Sequence, residues 1–106
     1  MEVSFASAAL STLCNSETRL TKRWGPVLGR TLARQLLDLS AVDVEDIEHL
    51  PNAVVSMNKV GETTISFGDI TAIHGFISRS NPDRSVTDES DSMIVTRVTV
   101  NRRDRI

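Results

Sequence analysis

Four arginines, Arg97, Arg102, Arg103 and Arg105, crowd the run from Met93 to Ile106 in a chain that is acidic overall. A guanidinium presents a planar fork of N–H donors that matches phosphate oxygens, so nucleic acid is a candidate partner. The same pattern suits a solvated basic tail that blunts a sheet edge. Cleaving RNA through its 2′-hydroxyl needs a base, stabilisation of the phosphorane charge and an acid for the leaving oxygen. Lys59 and the four arginines suit the charge stabilisation. Groups for proton transfer are fewer. His74 alternates with Phe76 along one strand and reads as a packing histidine, while His49 lies in an acidic connector and reads as a surface residue. Asp104 suits a base, or a simple ion pair with a neighbouring arginine, and pairing is the commoner state. Cys14 reads as a small apolar packing residue. Ser56, Cys14 and the aspartates form no nucleophile–base–orienter set.

These groups sit in 106 residues with 40% apolar and 25% charged side chains, which implies one globular domain with a single core. One cysteine excludes an intrachain disulfide and points to a reducing compartment or indifference to redox. No basic stretch followed by an apolar one opens the chain, and no apolar run approaches the ~20 residues of a membrane helix. The expectation is a soluble, cytoplasmic domain that needs no membrane. No cysteine/histidine metal spacing or glycine-rich phosphate loop is present, so neither metal nor cofactor is implied. The net charge of −2 conceals segregation: residues 40–50 carry four acidic and no basic side chains, whereas 93–106 carry four basic and one acidic. Local patches of this kind, more than the overall balance, decide where a polyanion docks.

Glu2 to Ala6 alternates and reads as a strand. Ser7 or Ser11 is placed to cap a helix over residues 8–24, carrying Leu10, Leu13, Cys14, Leu20 and Trp24. Gly25-Pro26 breaks it, and Pro26 suits the first turn of a second helix over 26–39. There Leu28, Leu32, Leu36 and Leu39 follow a helical period. The two segments predict an antiparallel hairpin whose exposed side carries Arg19, Lys22, Arg23, Arg30 and Arg34. Val42 to Leu50 predicts an acidic helical turn or loop. Ala53–Met57, Thr63–Phe67 and Thr71–Ser78 read as short strands punctuated by turn residues. Residues 80–92 read as a mobile polar loop. In the final strand a period of two puts Ile94, Thr96, Val98 and Val100 on one face, opposite Arg97, Thr99, Asn101 and Arg103. The layout is α+β: an N-terminal strand and helical hairpin packed on a four-strand antiparallel sheet.

Several stretches carry a family resemblance: Leu13-Cys-Asn-Ser-Glu17, Lys22-Arg-Trp-Gly-Pro26 with the helix Leu28-Gly-Arg-x-Leu-Ala-Arg34, Leu50-Pro51 followed by Ser56-Met-Asn-Lys59, and Val95-Thr96 with the closing Arg103-Asp-Arg-Ile106. In these, and over nearly its whole length, the chain resembles the RelE/HigB superfamily of type II toxins, the plasmid-maintenance killer proteins. The resemblance implies a RelE/ParE-like fold and a metal-independent endoribonuclease that cuts mRNA on the ribosome. It also implies a small helix-turn-helix antitoxin as partner. Lys59 stands at the family's lysine and Asp104 at its acidic residue near the terminus, and with Arg103 and Arg105 they form the implied catalytic set. Arg19, Lys22, Arg23, Arg30, Arg34, Arg79, Arg97 and Arg102 form the implied RNA-binding set. The chain departs from the pattern at Ser56, where the family has histidine, and at Arg105 and Ile106, where it has tyrosine and histidine. Those departures leave room for a toxin-fold protein that acts by binding its antitoxin or the ribosome without catalysis.

Overall fold

The N-terminal half is cut into short helices by its capping residues. A computed structural model describes residues 1–68, 70–78 and 91–100 of the chain, with the backbone of Asp104–Arg105. Strand β1 (Glu2–Phe5) leads into helix α1 (Ala8–Cys14), whose N-terminus is capped by Ser7: its hydroxyl accepts from the Leu10 N–H at 3.1 Å. The single helix expected over 8–24 is in fact two. Ser16 caps a new helix, α2 (Glu17–Trp24), by accepting from the Arg19 N–H at 3.3 Å. A serine that offers its oxygen to the backbone competes with helix continuation, and Glu17 in the first turn with Lys22 and Arg23 in the last suits the α2 dipole. Gly25, at φ 90°, ends α2, and Pro26 opens α3 (Pro26–Ala41), two residues longer than expected.

Helices α2 and α3 meet at Gly29. A Cβ there would lie 2.5 Å from the Thr21 Cα and 2.6 Å from its nitrogen, so only hydrogen lets the two backbones approach. Leu20, Leu32 and Leu39 are wholly buried beside that crossing, each contributing about 2 kcal/mol of apolar burial. After α3 a 3-10 helix (Val44–His49) forms the acidic connector. Its first N–H donates to the Asp91 carboxylate at 3.1 Å, tying the connector to the start of the last long strand.

Strands β2 (Ala53–Met57), β3 (Thr63–Phe67) and β4 (Thr71–Ser78) lie where the sequence places them, followed by β5 (Ser92–Val100) and the short β6 (Asp104–Arg105). The sheet order is β1-β5-β4-β3-β2, with β6 beside the end of β5. The four antiparallel strands are as expected. The addition is β1, which joins the same sheet parallel to β5, with Glu2 opposite Ser92 and Phe5 opposite Val95. One face carries Ile65, Phe67, Ile73, Met93, Val95, Val98 and Val100 into the core shared with the helices. Thr71 on that face donates to the side-chain amide oxygen (Oε1) of Gln35 on α3 at 2.7 Å.

The facing of β5 differs from simple alternation. His74 lies opposite Arg97 but Gly75 lies opposite Val95, which leaves Thr96 as an extra residue. This β-bulge slips the phase by one. Met93 and Val95 are therefore buried before it and Val98 and Val100 after it, while Ile94, expected to share the face of Val98, is 48% exposed. Glycine is required at position 75, because a Cβ there would meet the Ile94 carbonyl oxygen at 2.2 Å. Among the described residues no helix is long and apolar enough to cross a membrane.

Candidate functional site

The sheet face turned away from the helices carries a row of polar side chains set by strand register: Ser56, Thr64, His74 and Arg97 lie opposite one another in turn across β2, β3, β4 and β5. His74 is at the centre. Its Nδ1 is 2.9 Å from the Thr64 hydroxyl, and its Nε2 is 2.6 Å from the Thr99 hydroxyl. A hydroxyl both donates and accepts. The two threonines therefore hold the ring in either neutral tautomer, and in the imidazolium form both ring N–H groups donate to them. The ring can take or release a proton while its orientation is kept.

Glu62, at the end of the β2–β3 turn, reaches into the same net. Its Oε2 accepts from the Thr96 hydroxyl at 2.7 Å and its Oε1 from the Arg97 guanidinium at 3.3 Å. The Thr96 hydrogen bond, with the charges of Arg97 and His74, holds the Glu62 carboxyl below its usual range, against the opposing effect of burial. Thr96 is the bulge residue, and its hydroxyl also lies 3.2 Å from the His74 carbonyl oxygen. The bulge thus aims Thr96 at Glu62 while leaving Arg97 in line with His74. The Arg97 side chain is 41% exposed against 15% for Glu62, so the guanidinium presents one side to solvent.

Lys59 is exposed on the turn that precedes Glu62. Asn58 shapes that turn, its side-chain oxygen accepting from the N–H groups of Val60 at 3.1 Å and Glu62 at 3.0 Å. Of the expected RNA-binding residues, Arg19, Lys22 and Arg23 share one face of α2 and line a groove of about 620 Å³ with Ala8, Ala9, Thr12 and Leu13. The Arg23 guanidinium lies over the Trp24 ring, 5.3 Å from its centre. Arg30 and Arg34 are exposed on α3, and Arg34 lines a separate pocket with Asp38, Asn52 and Phe67. Among the described members of that set, Arg97 alone lies in the polar net. Arg79, Arg102 and Arg103 fall outside the described residues. Asp104 and Arg105 are described by their backbone only, paired with Val100 and Thr99. The loop expected over 80–92 lies outside the described residues up to position 90. Its expected end is corrected, since Ser92 already belongs to β5 and Asp91 is bonded to the 3-10 helix.

The expected roles of two other residues hold. Cys14 is buried in the core, where burial pushes its thiol up to about 11, and His49 is exposed. His74 is buried, as expected of a packing histidine, but among hydroxyls on the open face. Sequence reasoning passed over Glu62, Thr64, Thr96 and Thr99. The only signal of the threonines is their frequency in β3 and β5, which acquires meaning once register places three strands side by side, and Glu62 in its turn carries none. Chemically the net offers an imidazole for proton transfer, a guanidinium for a phosphate and a carboxylate that orients the guanidinium. Among the described residues no group of three or more histidine, cysteine or carboxylate side chains is arranged for a metal. Comparison with protein-family models, with characterised proteins and with solved structures finds no match to this chain.

Proposed function

We propose that this chain is the toxin of a type II toxin–antitoxin pair, acting on ribosome-bound mRNA as a metal-independent endoribonuclease of RelE/HigB type. One observation carries the reading: the His74 imidazole, held between Thr64 and Thr99, and the Arg97–Glu62 pair lie side by side on the open sheet face. Support also comes from the sequence stretches that resemble the family and from the α+β layout. Ser56, standing where the family has histidine, lies in the same cross-strand row as His74. An imidazole two strands along therefore takes the place of the missing one.

In this reading a backbone phosphate lies on the exposed side of Arg97, and His74 accepts the proton of the adjacent 2′-hydroxyl. The 2′-oxygen attacks phosphorus, the 5′-oxygen leaves and takes a proton from solvent, and a 2′,3′-cyclic phosphate forms. Arg97 and Lys59 stabilise the charge that builds on the phosphorane. Arg103, Asp104 and Arg105, the other members of the catalytic set that the family resemblance implies, follow Arg97 in the sequence. Arg19, Lys22, Arg23, Arg30 and Arg34 hold ribosomal RNA phosphates. A helix-turn-helix antitoxin neutralises the protein.

A second reading, binding without catalysis, is favoured by a specific feature of the same net. Both His74 ring nitrogens already have hydroxyl partners, and Arg97 is already paired with Glu62. Induced expression with mapping of mRNA 5′ ends separates the two. Catalysis predicts growth arrest with cuts at defined codons, reduced about 10²–10⁴-fold by His74→Ala. Arrest without cuts supports the binding reading. Cuts unchanged in both His74→Ala and Arg97→Ala place the chemistry elsewhere. No growth effect, together with no complex formed by the adjacent small open reading frame, removes the toxin reading.

A further inference from the structure

We infer that the outer edge of β2 is a self-pairing surface, along which two copies of this chain join antiparallel into one continuous sheet. Strand β2 ends the sheet, and among the described residues β3 is its only strand partner. The ladder shows which backbone groups point away. Asn58 donates to Glu62, and Gly68 donates to Asn52, so even-numbered residues face β3 and the odd-numbered Ala53, Val55 and Met57 face outward. The Ala53 N–H is already taken by the Leu50 carbonyl. The Ala53 carbonyl and both backbone groups of Val55 and Met57 remain directed at the open side.

Natural edges are blunted by charge, proline or a bulge, and β2, Ala-Val-Val-Ser-Met, has none of these. Instead it exposes Val54 and Met57 at 64% and 70%, with Val60 beyond them at 77%. A strand without charge gives a charged peptide nothing to complement, yet pairs with itself without repulsion. With a two-fold axis at Val55, the two Val55 residues exchange both hydrogen bonds, and each Met57 N–H meets the Ala53 carbonyl of the second copy. Each Val54 then lies beside a Ser56.

The flanks complement each other in the same orientation. Antiparallel pairing brings the turn after β2, which carries exposed Lys59, towards the segment before β2 in the other copy. That segment is the 3-10 helix with exposed Glu45, Asp46 and Glu48. The two-fold axis makes this contact twice. Main-chain pairing supplies affinity and the lysine-to-acid contact supplies direction.

Sedimentation of the full chain over about 1 to 100 µM, the range expected of a small interface, tests the inference. The wild type is expected to pass from monomer to dimer. Val55→Pro is expected to stay monomeric: the outward N–H it loses serves no bond among the described residues, and an edge strand tolerates proline there. Its circular dichroism and cooperative melting check the fold. Glu48→Lys, on an exposed side chain that leaves the fold intact, provides a second arm and is expected to weaken the dimer several-fold. A wild type that stays monomeric throughout overturns the inference. So does a dimer that persists unchanged in folded Val55→Pro, or, should that variant not fold, one unaffected by Glu48→Lys.

Discussion

Replacing Thr96 by valine tests whether the bulge holds the polar net together. The change keeps the shape and strand preference of the side chain and removes one hydroxyl. That hydroxyl has a single proton and lies 2.7 Å from a Glu62 oxygen and 3.2 Å from the His74 carbonyl, so the carboxylate takes it. A hydrogen bond to a charged group contributes about 1.5–3 kcal/mol. Glu62 keeps 15% exposure and the Arg97 guanidinium, so water and Arg97 replace part of the loss and the lower end applies. The added methyl group, half buried, returns about 0.4 kcal/mol. The net cost is about 1 kcal/mol, a fall in Tm of about 5 °C for a domain of this size. The pH dependence identifies the cause. A carboxylate whose folded pKa is depressed stabilises the fold above its unfolded pKa, near 4.5, and that stabilisation is lost as pH falls through the folded value. Melting followed by circular dichroism from neutral pH downward should show a deficit in Thr96→Val at neutral pH that shrinks on acidification below the usual carboxylate range. An equal deficit at every pH, or none at pH 7, refutes the reasoning.

Three further outcomes follow from the helices and the core. In Gly29→Ala the gain in helix propensity of about 1 kcal/mol is outweighed by the clash with the backbone of Thr21 and Leu20. Overpacking against backbone costs up to about 3 kcal/mol, so thermal melts should show a fall of about 5–10 °C. Ser16→Ala removes the cap that starts α2 and should cost about 0.5–1 kcal/mol in urea unfolding, whereas an uncapped position would be indifferent. Cys14, with its thiol raised to about 11, should resist iodoacetamide at pH 8 until denaturant is added. The folded chain holds that proton more tightly, so the thiol's contribution is complete below the usual value of 9.0 and is lost as pH rises from there towards 11.

The strands β2, β3 and β4 are legible because each is a short branched run between turn residues, and α3 because its leucines keep a helical period. The division between α1 and α2 has a visible signal, Asn15-Ser16-Glu17, a capping residue followed by an acid. It is overridden in a reading by the apolar spacing that runs through it. The bulge at Thr96 leaves no such mark, since nothing in Val95-Thr-Arg-Val98 distinguishes a strand that slips phase from one that does not. The glycine that permits it, Gly75, lies on another strand. The site was hidden for the same reason. His74, Glu62 and the three threonines come from three strands and a turn, and their meeting depends on register.

The pairing of β1 with β5 constrains how the chain reaches its fold. Glu2 lies opposite Ser92, about ninety positions away, and closing a flexible loop of that length costs about 4 kcal/mol by the logarithmic rule. The β2–β3 and β3–β4 pairs close over a handful of residues each and have no comparable barrier. The expected order is therefore a meander that forms early, then β5, then the first strand last of all. During synthesis β1 leaves the ribosome well before β5 and waits for its partner, an unpaired strand beside helices that are already able to pack. Contacts of such long range slow folding, and an exposed strand in waiting is open to mispairing with another chain. A strand made long before its partner is the last to find its place.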